Sequence, residues 1–322
     1  MDNLRQLGNR LSISITPDED GFTGRECPQP DCEGYFKIEF GTGLKGEGLP
    51  CHCPYCGHTA GQDHFWSKEQ IEYAKSVAMQ KITGALHKDL KKMEFDLKPK
   101  GAFGIGISLK MESGHPVPIH YYREKQLETE IVCSSCTLRY SVYGVFAFCP
   151  DCGQHNSLQI LDKNLEVVEK MLDMALTAEN ALVEKLIENA LEDCVSVFDG
   201  FGRELCRVFK EKAADQAKME KVRFQNLESA KIAIREMFHV DLSAHLTADE
   251  WQLALRGFQK RHLFAHKMGV VDQDYIAKTG DTRAVIGRKI SLEVDEVREL
   301  VQIISKLARG LSSGVQEAGK NS

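Results

Sequence analysis

The chain lacks any long apolar run. Its longest, Val142 to Phe148, is interrupted at Gly144, far short of the ~20 residues a membrane-spanning helix requires. It also lacks a charged-then-apolar leader: the first residues read Met1-Asp2-Asn3-Leu4-Arg5, so secretion by signal peptide is not expected and a cytoplasmic location is. Positive charge is in short supply. Lys and Arg number 41 against 47 Asp and Glu, a net charge of −6, which excludes a protein that coats nucleic acid through bulk charge. Any nucleic-acid contact must come from a local patch. No internal sequence repeat is found. Hydrophobic residues at 42% place the chain among ordinary soluble globular proteins, with room for one or two domains of ordinary size, or three if some are small.

What the chain does have is cysteine. There are 11, an odd number, and eight of them fall into four close pairs. Without an export signal, that pattern points to metal binding rather than disulfides. Cys133-Ser-Ser-Cys136 is followed, 12 residues later, by Cys149-Pro-Asp-Cys152-Gly153. Two such knuckles bring four thiolates into the tetrahedron that Zn²⁺ prefers, and Gly153 permits the tight turn after the second. The other cluster is less regular. Cys53-Pro-Tyr-Cys56-Gly57 is a good second knuckle, and Cys27-Pro-Gln-Pro-Asp-Cys32 a wider first one. The expected ligands are Cys27, Cys32, Cys53 and Cys56. Cys51 is the alternative to Cys53, and His52 and His58 are competitors. Cys194 and Cys206 sit in helical patterns and read as buried core. The expectation is two structural zinc ions per chain, and the two clusters read as two copies of one architecture.

The pattern divides the chain into an α+β multidomain protein: zinc ribbon 1 over 1–66, a connecting helix over 67–98, a β segment with zinc ribbon 2 over 99–160, a helical domain over 161–311, and a disordered tail over 312–322. Ser67-Lys68-Glu69-Gln70 has the form of a capping box opening the connecting helix, as Thr247-Ala248-Asp249-Glu250 does for a later one. Ile105, Ile107, Leu109 and Met111 alternate as in a strand, and Ile119–Val132 and Arg139–Phe148 look extended. Gly101, Gly104 and Gly106 mimic a dinucleotide loop, but no helix follows and no βαβ unit surrounds them, so that reading is set aside. Helices are expected near 164–178, 179–214, 221–238, from 247, and over 292–311.

The segment between Glu250 and Asp272 contains no acidic residue, yet holds Arg256, Lys260, Arg261, Lys267, His262 and His266. In an acidic chain this is a local positive site suited to one phosphate group. His262 and His266, four apart, stack on one helix face. Leu263 rather than Glu follows His262, so the zinc-protease pattern is absent. Arg261 and His266, five apart, lie roughly 140° around the helix and flank a face on which a phosphate can sit between a cation and a base.

Arg261-His262-Leu-Phe-Ala-His266 resembles the Arg-polar-x3-His signature of the HEPN superfamily. The resemblance extends through Gly269, Asp272 and Tyr275 to Gly280-Asp281, Gly287, Ile290-Ser-Leu292 and Glu296-Val297, and covers about half the chain. It implies an all-α bundle that forms a homodimer through the helical domain, with the motifs of both subunits meeting in one cleft. It also implies metal-independent endoribonuclease chemistry, with His266 as general base or acid, Arg261 stabilising the phosphate and His262 assisting. The implied setting is a toxin or anti-phage defence effector that takes RNA as substrate, uses its ribbons to hold RNA or a regulatory protein partner, and has no membrane association. Some members carry a tyrosine two residues after the motif histidine, where this chain has Met268, so control through that tyrosine is not expected. The rival reading is a non-catalytic regulator, with ribbons that bind nucleic acid or protein on a helical dimerisation module. A zinc hydrolase is weaker still, because both cysteine clusters look closed to water.

Overall fold

Residues 1–155 and 156–322 form two compact units. The computed structural model describes residues 2–8, 10–46, 48–97, 107–110, 114 and 116–318. In chain order the first unit carries α1 (Asp2–Gln6), β1 (Phe22–Glu26), β2 (Tyr35–Glu39), β3 (Pro50–His52), β4 (Thr59–Gly61), α2 (Lys68–Lys91), β5 (Phe95–Leu97), β6 (Ile107–Leu109), β7 (Thr129–Val132) and β8 (Arg139–Val142). The expected capping box is present: the Ser67 hydroxyl accepts from the Gln70 amide and the Gln70 side chain accepts from the Ser67 amide. The connecting helix ends at Lys91, short of the expected 98, because Phe95–Leu97 pairs with Ile107–Leu109. The strand expected from Ile105 to Met111 is thus seen as β6, its two end residues lying outside the described ones, as do Gly101, Gly104 and Gly106.

The centre of this unit is one antiparallel sheet in the order β1-β2-β8-β7. The hairpins β1–β2 and β7–β8 come from sequence-distant segments. They meet where β2 pairs with β8, Lys37 opposite Ser141 and Ile38 opposite Tyr140. Phe36, Ile38, Ile131, Tyr140 and Val142 form a buried core with five cysteines. The expectation of two separate ribbon domains is corrected here. The two ribbons share a sheet and a core, because neither short hairpin has enough apolar surface to fold alone.

The second unit is helical: α3 (Ser157–Ala175), α4 (Asn180–Val208), α5 (Gln216–Met219), α6 (Leu227–Phe238), α7 (Ala248–Lys267), α8 (Gln273–Thr279) and α9 (Val294–Glu317). One apolar cluster runs through α3, α4, α6, α7 and α9, with Phe198 packed edge-on against Phe224 and Phe258. The tail expected to be disordered from 312 is instead helical to Glu317. Leu307, Leu311 and Val315 continue the buried stripe, and the Lys212 ammonium donates to the carbonyls of Val315 and Gln316. Glycines allow close helix contacts: a Cβ on Gly257 would lie 2.7 Å from Leu300, and one on Gly202 2.5 Å from Phe224.

Candidate functional site

Each ribbon carries two knuckles, and all four end in the same kind of turn. In three of them the residue after the second cysteine donates to the carbonyl of the first: Gly57 to Cys53 (3.0 Å), Thr137 to Cys133 (2.9 Å) and Gly153 to Cys149 (2.9 Å). In the wider first knuckle Glu33 donates to Gln29 instead (2.9 Å), so the two extra residues are absorbed before Gln29. The residue after the second cysteine takes a left-handed conformation in every case, with φ of 42° at Glu33, 72° at Gly57, 65° at Thr137 and 68° at Gly153. This turn aims successive amides at the thiolates and brings both sulfurs to one point.

The sulfurs of Cys27, Cys32, Cys53 and Cys56 lie within 4.8 Å of one another, as do those of Cys133, Cys136, Cys149 and Cys152. Within the clusters Cys27–Cys56 and Cys32–Cys53 are 3.7 Å apart, Cys133–Cys152 3.7 Å and Cys136–Cys149 3.4 Å. A tetrahedron with metal–sulfur bonds of about 2.3 Å has an edge of about 3.8 Å, so both clusters fit a four-coordinate metal ion. None of the cysteines is joined in a disulfide. Cys53 joins the cluster and Cys51 does not. Cys51 is buried in the shared core, and the alternation of β3 turns its side chain away from that of His52.

The two centres are linked by reciprocal bonds. His52 N–H donates to Pro150 C=O (2.8 Å) and Phe148 N–H to Pro54 C=O (2.9 Å). Each joins the residue before one second knuckle to the proline inside the other. Together with the β2–β8 pairing this gives the unit an approximate internal twofold arrangement, in line with the reading of two copies of one architecture.

The second candidate site lies on α7. Thr247 caps it with both bonds of the expected box, and the helix ends at Met268 in a left-handed conformation followed by Gly269 (φ 78°). His262 and His266 stack as their spacing requires, ring centroids 4.9 Å apart, and both are exposed. Burial lowers the basicity of His262 below the ordinary imidazole value, and the neighbouring His266, Lys267, Lys278 and Arg261 add to the effect. Arg261 turns inward and keeps only 12% of its side chain exposed. It donates to Gln225 Oε1 (3.2 Å) and to Glu192 Oε1 on α4 (3.2 Å).

The cluster of free cations expected from the acid-poor sequence is reduced by folding. Lys260 is buried and donates to Ser291 C=O (3.0 Å) and to Glu296 Oε2 (2.6 Å). Lys267 pairs with Asp272. The carboxylates missing from the local sequence arrive from α4, α9 and the turn after α7. The partners Glu192 and Gln225 carry no motif, and no signal in the sequence marks them.

The residues that extend the family resemblance build the turn after α7. Asp272 caps α8 by accepting from the Tyr275 amide (2.8 Å). The buried Tyr275 hydroxyl donates to Asp281 Oδ2 (3.0 Å). Leu263, Val271 and Tyr275 form a small core, and Gly280 and Gly287 take the left-handed turns. Over 285–292 the pairing is a single bridge, Val270 to Lys289, which folds this segment back on the end of α7. Among the described residues no helix is long and apolar enough to cross a membrane. No protein-family model, curated protein or solved structure matches the chain.

Proposed function

We propose that the chain is a metal-independent endoribonuclease whose chemistry is carried by Arg261, His262 and His266, and whose two four-cysteine centres hold structural zinc. The observation that carries the catalytic reading is the exposed imidazole pair at 4.9 Å beside an arginine, with one imidazole held toward its neutral form by burial and by the surrounding cations. A proton-transfer group near neutrality and a guanidinium are what internal cleavage of RNA requires. The ribose 2′-oxygen attacks the adjacent phosphorus as His266 takes its proton. The bond from phosphorus to the 5′-oxygen breaks, and that oxygen takes a proton from water, which recovers one from the protonated His266. Arg261 offsets charge on the phosphoryl oxygens. The products are a 2′,3′-cyclic phosphate and a 5′-hydroxyl.

The four-thiolate centres leave no coordination position for a reacting water, so they serve the fold. Sulfur-only tetrahedral donors favour zinc. The exposed apolar residues Met268, Val270, Val285 and Ile286 lie on the segments that fold back beside the His266 end of α7. They suit a contact with a second copy that brings its own motif, as the HEPN resemblance implies. The same resemblance supplies the setting of a toxin or defence effector.

The test is cleavage of total RNA by purified, metal-loaded protein. His266→Ala is expected to lose about 10²–10⁴-fold and Arg261→Ala about 10²–10³-fold, with His262→Ala weaker. Arg261→Lys is not expected to rescue, since a point charge cannot reproduce the planar fork. Wild-type rates in both alanine variants would replace this reading with that of a non-catalytic scaffold.

A further inference from the structure

Arg261 is needed at a phosphate, yet its two terminal nitrogens are occupied within the chain. The residues that occupy it are part of a pattern on α4. Glu184, Glu188 and Glu192 are each four residues apart, so they form one row with a carboxylate about every 6 Å. The row holds Arg261 of the motif and Lys289. Glu192 binds Arg261 at 3.2 Å. Glu184 and Glu188 bind Lys289 at 3.2 and 3.3 Å. Lys289 belongs to the segment that folds back on α7 through the Val270 bridge, and its ammonium lies 5.8 Å from the centre of the Phe264 ring, two residues after His262. A line of single negative charges about one helical turn apart, holding the motif arginine and Lys289, has the charge pattern of a nucleic-acid backbone.

We infer that Lys289 is a second phosphate-binding residue for RNA, and that the Glu184–Glu188–Glu192 row on α4 occupies Lys289 and Arg261 in place of RNA phosphates until substrate displaces it. The inference rests on the ribonuclease reading above. Its energetics are suited to exchange. Glu192 and Lys289 are each about half exposed, at 51% and 52% of their side chains, and exposed ion pairs are individually weak. A polyanion that meets both cations at once releases counterions and gains from both contacts. Gln225 remains to steady the guanidinium when Glu192 lets go.

The experiment compares the full, metal-loaded chain with a Glu184→Gln, Glu188→Gln, Glu192→Gln triple variant. The probes are a fluorescein-labelled single-stranded RNA for cleavage and its 2′-O-methyl counterpart, which cannot be cut, for binding. The triple variant is expected to bind about tenfold more tightly at low salt, as the two cations are released from three carboxylates that each hold them weakly, and to cut faster at subsaturating RNA. Adding Lys289→Gln should remove most of that gain. A control variant, Glu166→Gln, Glu228→Gln, Glu299→Gln, removes the same charge where no ion pair is held among the described residues, and should change binding by less than about twofold, as screened charge does. Equal gain in the control, or unchanged or weaker binding in the triple variant while wild-type protein still cuts RNA, overturns the displaced row and leaves Glu192 as a positioning residue. No binding and no cleavage by either protein overturns the ribonuclease reading together with this one.

Discussion

Asp89 shows how much one carboxylate can organise. It accepts from the Asn3 amide (3.0 Å), the Leu4 amide (3.0 Å) and the Asn3 side chain (2.7 Å), and so holds α1 against α2 by its exposed helix-start amides. Burial raises the carboxyl pKa, but these bonds outweigh it and bring it down to about 2. A carboxyl lowered on folding stabilises the docked state above its ordinary pKa of 3.8. That contribution is lost as pH falls toward the folded value. Release of α1 is therefore expected between about pH 4 and 2, and at neutral pH in Asp89→Ala. Faster hydrogen exchange at Asn3 and Leu4 is the measurement, and unchanged exchange in Asp89→Ala would refute it. His262 offers a second residue-scale test. Its ring protons should titrate below the ordinary imidazole midpoint, and Lys278→Gln should move the midpoint upward, since Lys278 is one of the cations that lowers it. An unmoved NMR midpoint would remove that cation from the account.

Among the elements, the knuckles show where side chains resist the backbone. Gly57 and Gly153 accept a left-handed turn without strain, but Glu33 and Thr137 adopt it with a Cβ, and Thr137 is β-branched. Such a position costs on the order of 1–3 kcal/mol. Thr137→Gly is expected to raise the melting temperature of the metal-loaded protein by relieving about 1 kcal/mol, whereas Gly153→Val should lower it. A lower melting point for Thr137→Gly would show that the threonine hydroxyl, which donates to Cys136 C=O at 2.6 Å, outweighs the backbone term. On α7, Gly257 lies against the buried Leu300. Gly257→Ala should push α7 from α9 and destabilise the second unit by about 1–3 kcal/mol, measured by urea unfolding. Gly257 sits one turn before Arg261, so the same change should loosen the contacts to Glu192 and Gln225.

For the whole chain, the shared sheet changes what a single cysteine should do. Were the ribbons independent, Cys149→Ser would cost one metal ion. Because β2 pairs with β8 and each second knuckle is bonded to the proline of the other, loss of one centre should weaken its neighbour. Elemental analysis is expected to find two zinc ions per wild-type chain and fewer than one in Cys149→Ser, since metal binding here is folding free energy. The helical circular dichroism of the second unit should persist, because its core is its own. One zinc retained in full by Cys149→Ser would show that the ribbons fold separately.

Local chemistry was legible in the sequence. The four knuckles, the capping boxes at Ser67 and Thr247, and the stacked pair His262–His266 follow from short-range spacing, because each is a contact between residues no more than five apart. The stripe of α9 was legible in kind but not in length: Val315 extends it past the small polar residues that suggest an end. What tertiary structure alone decided are the pairings between distant segments. Two hairpins separated by about a hundred residues closed into one sheet, Cys53 joined the first cluster while Cys51 stayed in the shared core, and a segment without acids received Glu192 and Glu296 from other helices. Charge along a sequence is counted in one dimension, but the field at Arg261 is set by whatever folds to within a few ångströms of it, and no local pattern encodes that partner.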